Sequence, residues 1–177
     1  AVLKSLMISE LEPIVEGFRA AQVVSVGVCL LHSYRNSAHE TAIRDRLSVL
    51  APDLSVSLSS DVSAEMGEYE RSSTTVADAY VRPIFKTYIE RLSAGLKEMG
   101  IGCELLLILS DGRTVRHETA TDFPIRLVQS GPAAGAQAAV LYGGVSGERN
   151  LLCFDMGGTT AKACLIENGE PQRSASF

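Results

Sequence analysis

No basic run, no apolar stretch of membrane-spanning length and no CxxC pair occurs in these 177 residues, and each absence removes a class of function. Sixteen Lys and Arg stand against 21 Asp and Glu, a net charge of −5 spread along the chain, so the electrostatic footprint that wraps nucleic acid is missing. The longest apolar stretches, Val23–Leu31 and Leu105–Leu109, are too short to cross a bilayer, and no basic segment with a cleavage site precedes them. The expectation is a cytosolic (cytoplasmic) protein with no membrane partner. Cys29, Cys103, Cys153 and Cys164 each lie in an apolar, strand-like run without disulfide or zinc spacing, which reads as buried small hydrophobes in a reducing compartment. Six Pro and 15 Gly among 46% hydrophobic residues exclude disordered and collagen-like chains. His32, His39 and His117 lack metal-ligand spacing and read as surface or helix-cap residues. Neither GxxxxGK[ST] nor a GxGxxG after a strand is present, and Gly144-Val145-Ser146-Gly147-Glu148 misses the hydrolase elbow at its last position.

What is present reads as α/β, a mixed sheet with helices in one domain or slightly more. The chain starts at Ala1, without an initiator Met, and stops at Phe177 in an extended run, so a fragment of a longer polypeptide is expected. Leu11, Ile14, Val15 and Phe18 recur at helical spacing over Ser9–Ala20, with Pro13 in the first turn. Gln22–Leu31 is β-branched and nearly continuously apolar, the pattern of a strand buried on both faces. Ser37 and Glu40 have capping-box spacing for a helix with Ile43, Leu47 and Leu50 on its buried stripe, and Ser55–Ser59 alternates as a short strand. From Met66 the pattern is helical for more than thirty residues, with Tyr80, Ile84, Tyr88, Leu92 and Leu96 in an i, i+4 ladder. Pro83 is expected to kink or divide that helix near Val81–Arg82. A buried strand over Cys103–Leu109, the turn Ser110-Asp111-Gly112, a helical piece at Glu118–Phe123 and an extended Ile125–Val128 follow. Ser130-Gly131-Pro132 opens a small-residue helix, Ala133–Leu141, closely packed and ended by Gly143, Gly144 and Gly147. Two antiparallel strands, Leu151–Asp155 and Thr160–Glu167, complete the pattern, with Asn168-Gly169 as the next hairpin turn.

The stretch that carries chemistry is Phe154-Asp155-Met156-Gly157-Gly158-Thr159-Thr160-Ala161-Lys162. An apolar strand delivers a carboxylate to its end, and two glycines and two hydroxyls follow. Glycines let backbone N–H groups approach phosphate oxygens without an intervening Cβ, and threonine hydroxyls add donors to the same cradle. Asp155 and a phosphate repel, so its role there is to hold Mg²⁺ against the phosphate oxygens. Strand alternation points Thr160 and Lys162 the same way, which adds a positive charge beside the loop. The same residues also suit a purely structural β-turn, with Asp155 and Thr159 bonded to the turn backbone.

At this point the chain resembles the hydantoinase A and 5-oxoprolinase family, which includes N-methylhydantoinase A and the β subunit of acetone carboxylase. The resemblance runs through Leu31-His32-Ser33-Tyr34 with His39-Glu40, Glu68–Thr75 with Ala79-Tyr80, Ser110-Asp111-Gly112, Ser130–Gly135 and Asp155–Thr160. It implies part of an actin-like (ribonuclease H-like) ATPase fold whose two lobes close over ATP and Mg²⁺. Residues 1–64 would end the first lobe, and 65–177 would be a helical linker and the start of the second. It further implies an ATP-dependent amidohydrolase subunit that phosphorylates a cyclic amide or ketone carbonyl, together with a hydantoinase B-type subunit and a possible homo-oligomer. Asp155, Gly157, Gly158, Thr159, Thr160 and Lys162 are then the cofactor-binding residues and Asp155 the metal ligand, with no catalytic residue assigned. The family's other Asp-x-Gly-Gly-Thr turn and its adenine region are absent from these residues, so the chain carries half a phosphate clamp and is expected to be inactive alone. Many members have Asp where Lys162 stands, and a second Gly where Arg113 stands, so no metal or base role is carried to position 162. A reading from another class stays open: an interaction module whose helix Val81–Met99 presents a docking face and whose Gly-Gly turn is only structural. Hydantoin, N-methylhydantoin, 5-oxoproline and acetone are not separated by anything in the sequence.

Overall fold

Ser25–Val28 (β1) and Ser55–Leu58 (β2) pair in parallel, in register from Ser25 opposite Ser55 to Val28 opposite Leu58. They organise the first of two compact units in the computed structural model, which describes residues 5–172. This unit runs to Gly102 and takes in Thr121–Ile125; the second holds Cys103–Ala120 and the chain from Arg126 onward.

A 3-10 turn at Ile8–Glu10 leads into Leu11–Ala20 (α1), and Ala38–Leu50 (α2) connects the two strands. The expected apolar stripes form the core: Val15, Ile43 and Leu47 are buried against Leu11, Val26, Val28, Leu50, Leu54 and Val56. Ile14, expected with them, faces solvent. Two further expectations are corrected. The regular strand is only four residues long and Gly27 is exposed, so β1 is not buried on both faces. The two-sided burial falls on β2, where the neighbours Ser57 and Leu58 are both inaccessible instead of alternating. Ser37 makes no capping bond; the Asn36 side-chain oxygen takes the Ala38 N–H, which leaves Glu40 for another task.

After the single turn Ser59–Val62 (α3), Glu68–Glu98 (α4) runs unbroken for 31 residues with Pro83 inside it. The expected division does not occur, and the hydrogen bonding explains why. Proline has no N–H, so the Ala79 carbonyl loses its partner one turn on. The Ser25 hydroxyl, arriving from β1, donates to that carbonyl instead. Ser25→Ala is expected to cost about 1 kcal/mol, read as a lower urea midpoint at unchanged m-value. The α4 ladder turns outward at Tyr80, Ile84 and Tyr88, while Arg71, Thr75, Asp78, Ala79 and Ile89 are buried.

In the second unit Leu106–Ile108 (β3) forms a hairpin with Thr114–Arg116 (β4), a strand the sequence pattern does not announce. Gly112 takes a φ of +82° in the connecting turn, where Asp111 accepts the Arg113 N–H. The expected seven-residue strand is therefore three residues long, and Cys103 is an exposed loop thiol, not a core residue. His117–Asp122 (α5) is the expected helical piece, but Pro124–Leu127 is a 3-10 turn where an extended run was expected. Ser130–Ser146 (α6) is longer than expected; it passes through Gly143 and Gly144 and stops at Gly147 with φ +80°. Gly143 is needed for close packing, because a Cβ there would lie against Leu151 Cδ1 and 2.7 Å from the Glu148 carbonyl oxygen. α6 packs on the antiparallel pair Leu151–Met156 (β5) and Ala161–Glu167 (β6), to which Glu170–Pro171 (β7) adds after the turn at Asn168-Gly169. Residues 173–177 of the final extended run lie outside the described residues. No helix among the described residues is long and apolar enough to cross a membrane.

Candidate functional site: a glycine hairpin and a buried polar cluster

The β5–β6 register sets the geometry of the first candidate. Asp155 is opposite Lys162, Met156 opposite Ala161, and Gly157–Thr160 form the tip, closed by the Gly157 N–H donating to the Thr160 carbonyl at 3.0 Å. Cross-strand partners share a face, so the Asp155 and Lys162 side chains project from one side with Cys153, Cys164, Leu151 and the buried Ile166. Thr160 belongs to the turn and not to the strand, so strand alternation does not place it beside Lys162; the residue that shares the lysine's side is Asp155. Asp155, Gly157, Gly158, Thr159 and Thr160 are all exposed, and Lys162 is half-buried.

The glycines are informative because the hairpin itself does not require them. Neither Gly157 nor Gly158 has a left-handed φ, unlike Gly112, Gly147 and Gly169. A Cβ at Gly158 would meet nothing within 4 Å, and one at Gly157 only the Thr160 oxygen at 3.9 Å. Among the described residues, the Asp155 carboxylate and the Thr159 and Thr160 hydroxyls make no bond to the turn backbone. The tip thus carries exposed hydroxyls and an exposed carboxylate, with the Gly157 N–H used inside the turn. No group of three or more His, Cys, Asp or Glu side chains converges on a metal-sized site among the described residues.

The second candidate lies in the first unit, just past the carboxyl ends of β1 and β2; Ser33, Tyr34, Glu40 and Arg71 fall in segments the sequence marks, whereas Ser59, which joins them, does not. Ser59 is its centre. Its hydroxyl donates to Glu40 Oε1 at 2.7 Å, and because a hydroxyl has one proton, the 2.9 Å contact with Ser33 has Ser33 as donor. Arg71 Nε also donates to Ser59, at 3.2 Å. Glu40 further accepts the N–H groups of Leu30 at 2.8 Å and Ser60 at 2.9 Å. Arg71 sends its other nitrogens to the carbonyls of Glu65 at 3.2 Å and Leu30 at 2.9 Å, and its guanidinium lies 5.5 Å from the Tyr34 ring centre. Burial pushes the Glu40 carboxyl up, but the donors from Ser59, Leu30 and Ser60 together outweigh it and hold the group below its ordinary value. Arg71 does sit in the first turn of α4, yet its partners come from the turn after β1 (Leu30, Tyr34), the start of α3 (Ser59) and the loop before α4 (Glu65) and not from the helix start.

Two turns further along α4 from Arg71, buried Asp78 accepts from the Ser57 hydroxyl at 2.7 Å and the Ile125 N–H at 3.2 Å, with Arg82 at 3.6 Å. Arg82 also donates to the Val56 carbonyl at 2.7 Å and lies over Phe123, which fastens Thr121–Ile125 to this unit. No spacing in the sequence shows that Ser33 meets Ser59, or Ser57 meets Asp78, because these partners are distant in sequence.

A family model described as Hydantoinase/oxoprolinase matches residues 71–176, well over half of the chain, and one described as the Hydantoinase/oxoprolinase N-terminal region matches residues 1–50. Among curated proteins, the caprolactamase α subunit of Pseudomonas jessenii is 31% identical over 155 residues, covering 88% of this chain and 22% of its own length. The 5-oxoprolinase of Saccharomyces cerevisiae is 31% identical over 175 residues, 95% of this chain and 13% of its own. The crystal structure of the ATP-dependent caprolactamase superposes over 93% of this chain and 24% of its own with a TM-score of 0.80 at 28% identity. The nucleotide-free acetone carboxylase gives 0.72 at 26% identity, over 95% of this chain and 24% of its own. The chain therefore spans a quarter or less of the proteins it matches.

Proposed function

The chain belongs to the hydantoinase/oxoprolinase family, and from that premise we propose that it is the central part of an ATP-dependent A-type subunit that activates a cyclic amide or ketone carbonyl by phosphorylation. In this reading the fold is a piece of a two-lobed, actin-like ATPase, with residues 1–64 closing the first lobe and 65–177 linking to and opening the second. The β5–β6 tip is the phosphate cradle. Backbone N–H groups of Gly158–Thr160 and the two threonine hydroxyls bind phosphate oxygens, Lys162 adds positive charge, and Asp155 holds Mg²⁺ together with phosphate oxygens and water. The observation that carries this reading is the pair of glycines that neither φ nor any neighbouring atom requires. A missing Cβ there serves something that approaches from outside. Phosphorylation is the chemistry a weakly electrophilic carbonyl needs, since the phosphorylated oxygen departs readily, and positioning with charge neutralisation supplies the catalysis. Relatives whose names make them subunits (caprolactamase α, acetone carboxylase β, acetophenone carboxylase γ) support a B-type partner subunit for this one.

Isothermal titration of Mg·ATP into the longest natural chain carrying this sequence tests the proposal. Asp155→Ala is expected to weaken binding by about a hundredfold, and the 177 residues alone to bind weakly; unchanged affinity in Asp155→Ala removes the assigned role.

A second reading has its own observation. Tyr80, Ile84 and Tyr88 on α4 are 73%, 60% and 59% exposed, an aromatic stripe suited to docking another protein. Pull-down with a B-type subunit separates the two. Capture and ATP hydrolysis that both survive Gly157→Val with Gly158→Val favour a docking module; retained capture with lost hydrolysis favours the enzyme.

A further inference from the structure

Two segments singled out in the sequence have no part in the phosphate hairpin: Leu31–Tyr34 with His39-Glu40, and Glu68–Thr75. They meet at Ser59, and what their meeting holds still is one turn of chain. The Leu30 peptide is gripped on both sides, its N–H by Glu40 and its carbonyl by Arg71. Ser33 is tied by its N–H to the Leu30 carbonyl at 3.3 Å and by its hydroxyl to Ser59. The Tyr34 ring lies against the Arg71 guanidinium. Between these anchors Leu31 and His32 project into solvent, and His32 takes a φ of +56°, a left-handed conformation that costs a non-glycine residue on the order of 1 kcal/mol. The His32 imidazole stands edge-on to the Tyr34 ring, centroids 6.0 Å apart. The turn lies just past the carboxyl end of β1, and Ser59 just past that of β2, the edge at which open parallel sheets bind ligands.

A buried carboxylate, a buried guanidinium and a strained backbone are thus combined to fix a turn whose middle residues, Leu31 and His32, stay exposed, with the His32 ring against only the Tyr34 ring of the same turn among the described residues. We infer that Glu40, Ser59 and Arg71 are positioning residues that present the Leu31–Tyr34 turn as the recognition site for the carbonyl substrate, with the His32 imidazole as its hydrogen-bonding group and Tyr34 as its wall. The inference rests on the carbonyl-activating reading above. The ligand class is a small cyclic amide or ketone, whose oxygen accepts from the imidazole N–H and whose ring carbons lie on Leu31 and Tyr34.

The test uses the longest natural chain carrying this sequence and ATP hydrolysis stimulated by 5-oxoproline, caprolactam, hydantoin or acetone. His32→Asn removes the imidazole yet tolerates the left-handed backbone. It is expected to raise the KM of the stimulating compound about tenfold or more, the range of one lost hydrogen bond at a binding site, with the KM for ATP changed less than twofold. Ser59→Ala is expected to raise the same KM with kcat retained, a split that general loss of folding does not produce, and Arg71→Lys to follow it because an ammonium does not reproduce the guanidinium fork. His39→Asn, exposed on α2, is the control. An unchanged KM in His32→Asn overturns the inference while leaving the carbonyl-activating reading in place. Failure of all four compounds to stimulate hydrolysis overturns that reading, and this inference with it.

Discussion

Arg71→Met is expected to destabilise the first unit by about 3–5 kcal/mol, the usual consequence of removing one partner from a buried charged network. The size follows from what the side chain leaves behind. Arg71 is 1% exposed and Glu40 fully buried, and both bond to Ser59. Without the guanidinium, the Leu30 and Glu65 carbonyls each lose a donor, and so does the Ser59 hydroxyl that bonds the buried Glu40 carboxylate. Since a domain's whole stability is typically about 5–15 kcal/mol, this substitution approaches the limit of folding. Equilibrium urea unfolding followed by circular dichroism measures it, and a loss under about 1 kcal/mol would contradict a network of this strength. Glu40→Gln adds a dependence on pH. The folded-state pKa of Glu40 is depressed, so its contribution is present above the unfolded-state value and lost as pH falls through the folded one. Wild-type stability is therefore expected to fall on acidification below the ordinary carboxylate range, and the Glu40→Gln variant to lose less over the same interval.

These residues also show how far the sequence is readable. The β5–β6–β7 sheet is legible because its determinants are local: apolar runs over Leu151–Phe154 and Ala163–Ile166 on either side of the Gly157-Gly158 turn, then Asn168-Gly169 between β6 and β7, which adopts the positive φ values such a turn needs. The core stripe of α1 and α2 is legible for the same reason. Pro83 misleads because the group that rescues its helix is Ser25, far away in sequence and invisible to any local rule. Glu40 misleads because the capping-box pattern is real but loses to three donors delivered by tertiary structure. β4 escapes notice because three residues, Thr114-Val115-Arg116, carry no usable periodicity. The residues of the β5–β6 tip proposed to hold phosphate are legible as a set, but that the fold does not need its two glycines is visible only in the structure.

The second large effect is expected at these glycines. Since Gly158 has an ordinary φ and open space where its Cβ would stand, Gly158→Ala is expected to leave the melting temperature unchanged or raise it, by the entropy a glycine adds to the unfolded chain, about 0.4–1 kcal/mol. The same methyl group would occupy the surface that phosphate oxygens approach in the proposed cradle. Binding and folding should therefore separate in one substitution, and Gly158→Val should enlarge the separation. A structural turn predicts the opposite, since nothing binds there to be lost.

Titration calorimetry of Mg·ATP against the longest natural chain carrying Gly158→Ala, with its melting curve recorded alongside, is the most direct measurement. A fall in affinity of about a hundredfold, the scale of a lost phosphate-oxygen donor set, at an unchanged or higher melting temperature is the result this account predicts. Wild-type affinity in the variant would contradict it.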